Sequence, residues 1–219
     1  MYRSEEDYLK KIYELSIESS RNIVKTSELA EELGFTDQSI NEKIKQLVAK
    51  DLVVFEPYKG VSLTKKGSSE ALRMVRAHRI WEVFLANSLG YSWSDVHDKA
   101  EDLEHASSIE LINRLYLFLD SPAYCLHGNP IPNLKGKMAR IADISIADLQ
   151  TGTEFTLQRV IDNKSLLLFL EENDIKLYDH FLIEENNEFT SIISIRSFRT
   201  NTITQISTKI AKLLFTYKE

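Results

Sequence analysis

The sequence has few residues that constrain a chain covalently or locally, since it holds one cysteine, four prolines and seven glycines in 219 positions. The single cysteine, Cys125, cannot form an intrachain disulfide, which is typical of a reducing compartment and leaves the thiol available for metal or redox chemistry. No run of eighteen or more residues is apolar and uncharged, and the first fifteen residues carry charges throughout. We therefore expect a cytoplasmic protein with no membrane partner.

The chain also lacks an excess of positive charge, because its net charge is −6. Non-specific DNA affinity comes from Lys and Arg that neutralise phosphates, so the net charge alone argues against a nucleic-acid partner. The distribution changes that interpretation, because residues 21–76 hold ten Lys or Arg against eight acids. An acidic body with one mildly basic module can bind DNA locally.

Residues 1–72 have the pattern of a winged helix-turn-helix. Apolar residues at helical spacing predict a first helix over 4–18, with Ser4 as its N-cap. A short helix is predicted from Thr26 to the terminating Gly34, and a second begins at Thr36 and runs to about residue 49. Strand-like runs at 52–55 and 61–64, joined by a turn at 57–60, predict the hairpin called a wing. The residues of the second helix expected to face inward are Ile40, Ile44, Leu47 and Val48.

After the wing, the pattern predicts three helices over 68–89, 93–105 and 107–119, the first ended by Gly90. Their apolar surface exceeds what a small hairpin can cover, so we expect a dimer interface. Residues 120–137 contain three of the four prolines and predict an ordered loop. Strand-like runs at 156–161, 181–184, 191–195 and 202–206, with a helix at 165–172, predict a small β-barrel. The expected fold is mainly α with β, with a winged helix over 1–72, a helical domain over 73–143 and the barrel over 144–219.

The most informative segment is 97–105, in which four possible metal ligands share one face of a helix. His97, Glu101, Glu104 and His105 stand at i, i+4, i+7 and i+8. Two imidazoles and two carboxylates on one stripe can bind a divalent cation, which offsets the repulsion between neighbouring carboxylates. The alternative is a solvated acidic face, and for this stripe taken alone that alternative is favoured.

Two further pairs of possible ligands bear on the choice between a metal site and a solvated face. His78 and Glu82 are one helical turn apart, and Cys125 and His127 lie two positions apart in a loop, so each pair can turn toward one ion. Either pair could also be ordinary surface chemistry. However, the only cysteine and four of the five histidines fall within residues 78–127. This clustering favours metal binding.

In this order, these features resemble the metal-dependent repressors of the diphtheria toxin repressor family. The resemblance rests on Glu6-Asp7-Tyr8-Leu9 with Ile12-Tyr13, the winged helix, Arg76-Ala77-His78-Arg79 with Glu82, and the 97–105 stripe. The segment Cys125-Leu126-His127-Gly128 with Ile131-Pro132 further resembles the manganese-responsive branch of streptococci and enterococci. The resemblance implies a homodimeric repressor that binds double-stranded operator DNA when it holds a divalent metal, has no organic cofactor and controls metal uptake. It also implies that the C-terminal barrel is of the Src-homology-3 (FeoA) type.

The same resemblance implies three groups of metal ligands. A primary site maps onto Asp7, Glu101, Glu104 and His105, a second site onto Glu82, Cys125, His127 and Asp162, and an ancillary site onto His78 and His97. The oxygen and nitrogen donors of the primary site favour manganese, with iron(II) the alternative, whereas the thiolate of the second site also suits zinc. Family members with two ions in the primary site have an acid three residues after the aspartate, and this chain has Lys10 there. Asp162 can equally be part of a turn at a strand end.

The side chains that read DNA are expected at the start of the helix from Thr36. Helical spacing exposes Thr36, Gln38, Ser39 and Glu42, and the resemblance aligns positions 36, 38 and 42 with base contacts. Because carboxylates repel phosphates, an ion pair with Lys45 is an equal interpretation of Glu42. The expected phosphate contacts, for each of which simple solvation is an equal alternative, are Lys43, Lys45, Lys59, Lys65 and Lys66.

Two other functions are compatible with the pattern. A metalloenzyme could use the same ligands to activate water, although the sequence has no evident separate general base, nucleophile or glycine-rich substrate loop. A winged-helix regulator could instead sense a ligand other than a metal through its helical body. The sequence as a whole favours a metal-dependent repressor that is not an enzyme.

Overall fold

The computed structural model describes residues 2–18, 21–93 and 95–218. The helices are α1 (Arg3–Glu18), α2 (Thr26–Leu33), α3 (Asp37–Ala49), α4 (Lys65–Leu89), α5 (Val96–Ala106), α6 (Ile109–Phe118), α7 (Lys164–Glu172) and α8 (Thr208–Ala211), with a 3₁₀ turn at Ile146–Asp148. The strands are β1 (Val53–Glu56), β2 (Gly60–Leu63), β3 (Ile144–Ser145), β4 (Glu154–Thr156), β5 (Arg159–Val160), β6 (His180–Asn187), β7 (Ile192–Ser197), β8 (Ile203–Ser207) and β9 (Leu214–Thr216). Across the described ranges, no helix combines the length and apolarity needed to cross a membrane.

The chain divides into two compact units. The first comprises Met1–His78 with Asp102–Ile112, and the second comprises Arg79–Glu101 with Asn113–Glu219. Helices α4 and α5 therefore contribute residues to both units. This division matters for the metal ligands, because α5 supplies different ligands to the two units.

In the first unit, α1 to α3 and the β1–β2 hairpin form the predicted winged helix-turn-helix. Helix α2 ends at Gly34, whose left-handed φ of 68° suits glycine and whose N–H bonds to Ala30 O. Helix α3 begins after Thr36, whose side chain accepts the Ser39 N–H. The two helices and α1 enclose a core of Tyr8, Leu9, Ile12, Leu29, Ile40, Ile44 and Leu47. Both predicted helix boundaries are confirmed.

The wing is anchored to the strand-like residue that precedes α2. Strands β1 and β2 pair antiparallel from Val53↔Leu63 to Glu56↔Gly60, and Val24 and Val61 exchange two backbone hydrogen bonds of 2.9 and 2.8 Å. A Cβ at Gly60 would lie 2.1 Å from Val24 O, so only glycine fits where the wing meets this strand. The wing is thereby held to the helix-turn-helix by the main chain.

Some sequence-based predictions of burial and element ends are wrong. Val48 was expected inside but is 43% exposed, because at 100° per residue it lies about 80° around α3 from Ile40, at the edge of the buried stripe. Helix α5 begins at Val96 rather than near residue 93, and the run 156–161 is not one strand but holds the last residue of β4 and the two residues of β5.

The C-terminal part of the second unit has two antiparallel sheets around one apolar core, as expected for a small β-barrel. One sheet has the order β3-β9-β5 and the other β4-β6-β7-β8. The core includes Ile146, Leu157, Leu167, Leu170 and Ile183, so α7 packs on the same interior as both sheets. Strands β3 and β9 and helix α8 lie outside the predicted elements.

The loop between α6 and β3 is fixed against β5. Within it, Tyr124 pairs with Pro130, and the Val160 N–H donates to His127 O at 2.9 Å. Gly128 has φ 77°, and a Cβ there would lie 2.0 Å from Gln158 O. This close approach positions the loop residues Cys125 and His127.

We expect Gly128→Ala to lower the free energy of unfolding by about 1–3 kcal/mol more than Gly136→Ala does. Gly136 lies in the same loop with a similar φ of 73° but has no atom within 4 Å of a Cβ position, so the pair separates crowding from backbone strain. Urea unfolding measures both variants. Equal losses would show that the approach to Gln158 does not hold the loop.

Candidate metal centres

In the first unit, α1 and α5 bring together Asp7, Glu104 and His105. One ligand atom from each of these residues lies within 4.8 Å of the other two. His105 Nε2 is 2.8 Å from Asp7 Oδ1 and 3.5 Å from Glu104 Oε1. Glu104 is fully buried, and the His105 side chain is nearly so. Three of the four residues predicted as the primary site therefore form one cluster, called here the first cluster.

Glu6 orients the imidazole of the first cluster. His105 Nδ1 lies 2.8 Å from Glu6 Oε2, and Arg73 Nη2 donates to Glu6 Oε1 at 2.6 Å. A proton on Nδ1 that is donated to Glu6 leaves the Nε2 lone pair directed at Asp7 and Glu104. The sequence analysis assigned no role to Glu6, because its partner His105 is 99 residues away in the chain.

The first cluster has the donor chemistry of a site for a hard divalent cation. His105 Nε2 is buried, and its 2.8 Å approach to Asp7 Oδ1 lacks the geometry of a hydrogen bond. An imidazole nitrogen that faces two carboxylates at this distance needs a positive charge, which a proton or a metal ion can supply. Two carboxylates and one imidazole suit manganese or iron(II), so these residues fit such an ion.

Lys10 and His78 also contact the Glu104 carboxylate. Lys10 Nζ donates to Glu104 Oε2 at 2.8 Å and to Oε1 at 3.0 Å. The same Nζ lies 3.0 Å from His78 Nδ1, and His78 Nδ1 lies 2.5 Å from Glu104 Oε2. The buried carboxylate is thus shared by one ammonium group and two imidazoles.

In the second unit, Glu82, Cys125 and His127 form a buried second cluster. Their ligand atoms also lie within 4.8 Å of one another, and all three residues are buried. His127 Nδ1 is 3.2 Å from Glu82 Oε1, while His127 Nε2 has no hydrogen-bond partner among the described residues. Carboxylate, thiolate and imidazole together suit zinc and iron(II) as well as manganese.

The second cluster strongly shifts the pKa of His127. Burial is the largest single influence and lowers the pKa of the imidazole, but the Glu82 carboxylate, the neighbouring Cys125 and the charge of Asp162 together raise it well above 6.5. These neighbours therefore favour the charged form of the imidazole. A metal ion at this cluster competes with that proton.

Asp162 lies between His127 and His97. Its Oδ2 is 2.5 Å from His97 Nδ1 and 3.8 Å from His127 Nδ1. Glu101, predicted as a primary-site ligand, belongs to this second unit, where its Oε2 lies 3.2 Å from His97 Nε2. Asp162 also directly precedes Asn163, the N-cap of α7, so its position at a strand end and its contact with imidazoles coexist.

The predicted DNA-reading residues lie at the exposed start of α3. Thr36, Gln38, Ser39 and Glu42 are all exposed. Glu42 Oε1 accepts a hydrogen bond of 3.4 Å from Gln38 Nε2, and within the described ranges no ion pair joins it to Lys45. Of the predicted phosphate contacts, Lys45, Lys59, Lys65 and Lys66 are exposed and Lys43 is half-buried.

Three of these lysines already have contacts within the chain. Lys43 Nζ donates to Ser4 Oγ at 3.1 Å, Lys59 Nζ pairs with Glu56 Oε2 at 2.8 Å, and Lys66 Nζ donates to Lys50 O at 2.9 Å. A phosphate contact from any of them would compete with its present partner.

Comparison with known proteins identifies a DNA-binding domain and a metal-binding and dimerisation domain. The family description "Iron dependent repressor, N-terminal DNA binding domain" matches residues 1–61, and "Iron dependent repressor, metal binding and dimerisation domain" matches residues 64–133. The chain is 37% identical over 120 residues to an uncharacterised helix-turn-helix transcriptional regulator of Methanocaldococcus jannaschii, covering 55% of this chain and 95% of the relative.

Two further similarities extend over more of the chain. It is 29% identical over 171 residues to the diphtheria toxin repressor of Corynebacterium jeikeium, covering 78% of this chain and 67% of that protein. A solved structure of a manganese-dependent transcriptional repressor in complex with manganese is similar at a TM-score of 0.91 and 31% identity, covering 98% of this chain and 100% of the other. The chain therefore belongs to the family of metal-dependent repressors that includes the diphtheria toxin repressor.

Proposed function

We propose that this protein is a repressor that binds operator DNA as a homodimer when a divalent metal ion occupies the first cluster. The observation that carries the proposal is the convergence of Asp7 and His105 on the buried Glu104, from two helices of which one is the first helix of the winged helix-turn-helix. Within this function we assign DNA binding to residues 1–72, dimerisation and metal binding to 73–143 and a stabilising role to 144–219. No reaction is proposed, because no feature of either cluster requires a substrate.

The proposed ion is manganese, with iron(II) as the alternative. The donors of the first cluster are two carboxylates and one imidazole, without the thiolate that favours softer metals. Similarity to the manganese-bound repressor supports the same choice. A related repressor has been solved with zinc and with cadmium, so zinc is expected to bind in vitro as well.

Metal binding controls DNA binding through α1. Asp7 directly precedes Tyr8 and Leu9, which are buried in the core that also holds Ile40 and Leu47 of α3. An ion held by Asp7, Glu104 and His105 fixes α1 and, through that core, the helix that enters the major groove. A tenfold change in operator affinity requires a free-energy difference of only about 1.4 kcal/mol.

The DNA contacts are assigned to the exposed start of α3 and to the wing. Gln38 and Ser39 are placed to meet base edges, and the wing presents Tyr58 and Lys59 at its tip. Dimerisation is assigned to α6, which leaves Ile109, Leu117 and Phe118 more than half exposed. These roles are consistent with the DNA-binding and dimerisation domains of the family.

We assign the second cluster, with Asp162, to a second metal site. Glu82, Cys125 and His127 are buried together as three donors, and Asp162 adds a carboxylate 3.8 Å from His127. Because β5 fixes the loop that carries Cys125 and His127, an ion there would stabilise the second unit. His78 and His97 are assigned supporting roles beside Glu104 and Asp162.

We expect Asp7→Ala to abolish the manganese dependence of operator binding while the protein remains folded and dimeric. The substitution removes the only first-cluster ligand that α1 supplies. Fluorescence anisotropy measures binding to DNA selected from a random pool in the presence of Mn²⁺, with and without a chelator. Asp102→Ala is the matched control, because Asp102 is an exposed acid on α5 that pairs with Arg3 outside the cluster. An Asp7→Ala protein that still responds to manganese would refute the coupling through α1.

We expect Glu6→Gln to weaken manganese binding at the first cluster about 10- to 100-fold, because it removes the carboxylate that orients His105. Calorimetric titration with Mn²⁺ measures the affinity. Glu5→Gln is the control on the same helix, since the Glu5 carboxylate pairs with Lys50 instead. Equal affinities for the two variants would show that Glu6 does not support the ligand.

A further inference from the structure

The first turn of α1 contains a buried acid that is not one of the metal ligands. Glu5 lies two residues before Asp7, and its side chain is only 3% exposed. Its Oε1 atom accepts a hydrogen bond of 2.6 Å from the Nζ of Lys50, the residue that directly follows α3. A buried carboxylate needs a compensating charge, which Lys50 supplies. This ion pair therefore joins the turn that carries Asp7 to the C-terminal end of α3.

A second contact joins the same turn to the middle of α3. Lys43 Nζ donates to Ser4 Oγ at 3.1 Å. Lys43 and Lys50 are seven positions apart, so at 100° per residue they lie within about 20° of each other on one side of the helix. Ser4 and Glu5 are neighbours in α1. Two adjacent residues of α1 thus hold α3 at points two helical turns apart, and a helix held at two points is fixed in direction as well as in position.

The end of α3 that Glu5 reaches is also joined to the wing. The carbonyl oxygen of Lys50 accepts a hydrogen bond of 2.9 Å from Lys66 Nζ. The next carbonyl, that of Asp51, accepts one of 2.8 Å from the hydroxyl of Thr64, which directly follows β2. A displacement of Lys50 is therefore passed to the wing as well as to α3.

We propose that the ion pair of Glu5 and Lys50 is the contact that transmits metal occupancy from α1 to the DNA-binding elements. This inference rests on the proposed function, in which an ion fixes α1 through Asp7. Glu5 carries that fixed position to the end of α3, and the bond between Ser4 and Lys43 is the second point of the same clamp. Glu5 and Lys50 are positioning residues, because neither belongs to the first cluster or to the predicted DNA contacts.

The side of α3 that the clamp uses leaves its DNA-reading face open. Glu42 lies about 80° around the helix from Lys50 and about 100° from Lys43. Lys50 can therefore stay bonded to Glu5 while Gln38 and Glu42 meet DNA. The clamp acts on the orientation of the helix, which decides whether the reading face fits the major groove.

The test is the manganese gain, the ratio of the dissociation constant for operator DNA measured with a chelator to that measured at saturating Mn²⁺. Fluorescence anisotropy with DNA selected from a random pool measures both constants. We expect Glu5→Gln, which replaces the buried carboxylate by an amide of similar size, to lower the manganese gain about tenfold. The affinity of the DNA-free protein for Mn²⁺, measured by calorimetry, should remain that of the parent, because Glu5 is not a ligand.

Lysine variants separate this role from a simple phosphate contact. Lys50→Arg keeps the charge and should keep the manganese gain, whereas Lys50→Met should lower it as Glu5→Gln does. Lys45→Met is the matched control, since Lys45 is an exposed lysine of the same helix. It should weaken binding by the same factor with and without Mn²⁺ and leave the gain unchanged. The double variant Glu5→Gln/Lys50→Met should lose no more than either single variant, because the pair acts as one unit.

A folded Glu5→Gln protein with the parent's manganese gain would overturn the proposal, and so would a loss of affinity that is equal with and without Mn²⁺. If Lys50→Met fails to fold because it leaves a buried carboxylate unpaired, the double variant replaces it, since that variant holds no such charge. Failure of the proposed function has a different signature, because the parent protein itself would then show no manganese gain.

Discussion

The complete burial of the Glu104 carboxylate is the constraint on which the first cluster depends. A buried carboxylate without compensating charge is costly, so its surroundings must supply positive charge or hydrogen-bond donors. Here Lys10 supplies a permanent charge at 2.8 Å, while His78 and His105 approach from two other directions. The imidazole of His105 also faces Asp7, so the cluster contains more carboxylate charge than its lysine neutralises. A divalent cation held there would complete this balance, and we propose that it makes the arrangement of α1 and α5 sensitive to metal.

The two clusters differ in how their ligands are held. The first cluster takes its ligands from two helices, and α1 also forms part of the helix-turn-helix core through Leu9 and Ile12. The second takes Cys125 and His127 from a loop that main-chain bonds and the close approach of Gly128 fix to β5. An ion at the first cluster would therefore act on the DNA-binding helices, whereas an ion at the second would act on the loop and β5. This difference supports a regulatory role for the first and a stabilising role for the second.

Local signals in the sequence predict the helix-turn-helix well, because caps such as Gly34 and Thr36 and the spacing of apolar residues are read within a few positions. The same spacing places Glu104 and His105 on one helix. The role of Glu6 could not be predicted, since its contact with His105 depends on how α1 and α5 pack. For the same reason, Lys10 could be recognised as a departure from the family pattern but not as a partner of Glu104 and His78. Strand β9 was missed because it is only three residues long and pairs with the distant β3 and β5.

The central claim is that one divalent ion held by α1 and α5 accompanies operator binding. Anomalous X-ray diffraction at the manganese absorption edge, from crystals of the protein grown with Mn²⁺ and operator DNA, tests it most directly. The account predicts a manganese peak enclosed by Asp7, Glu104 and His105. A protein bound to its operator without a manganese peak at this cluster would contradict the account.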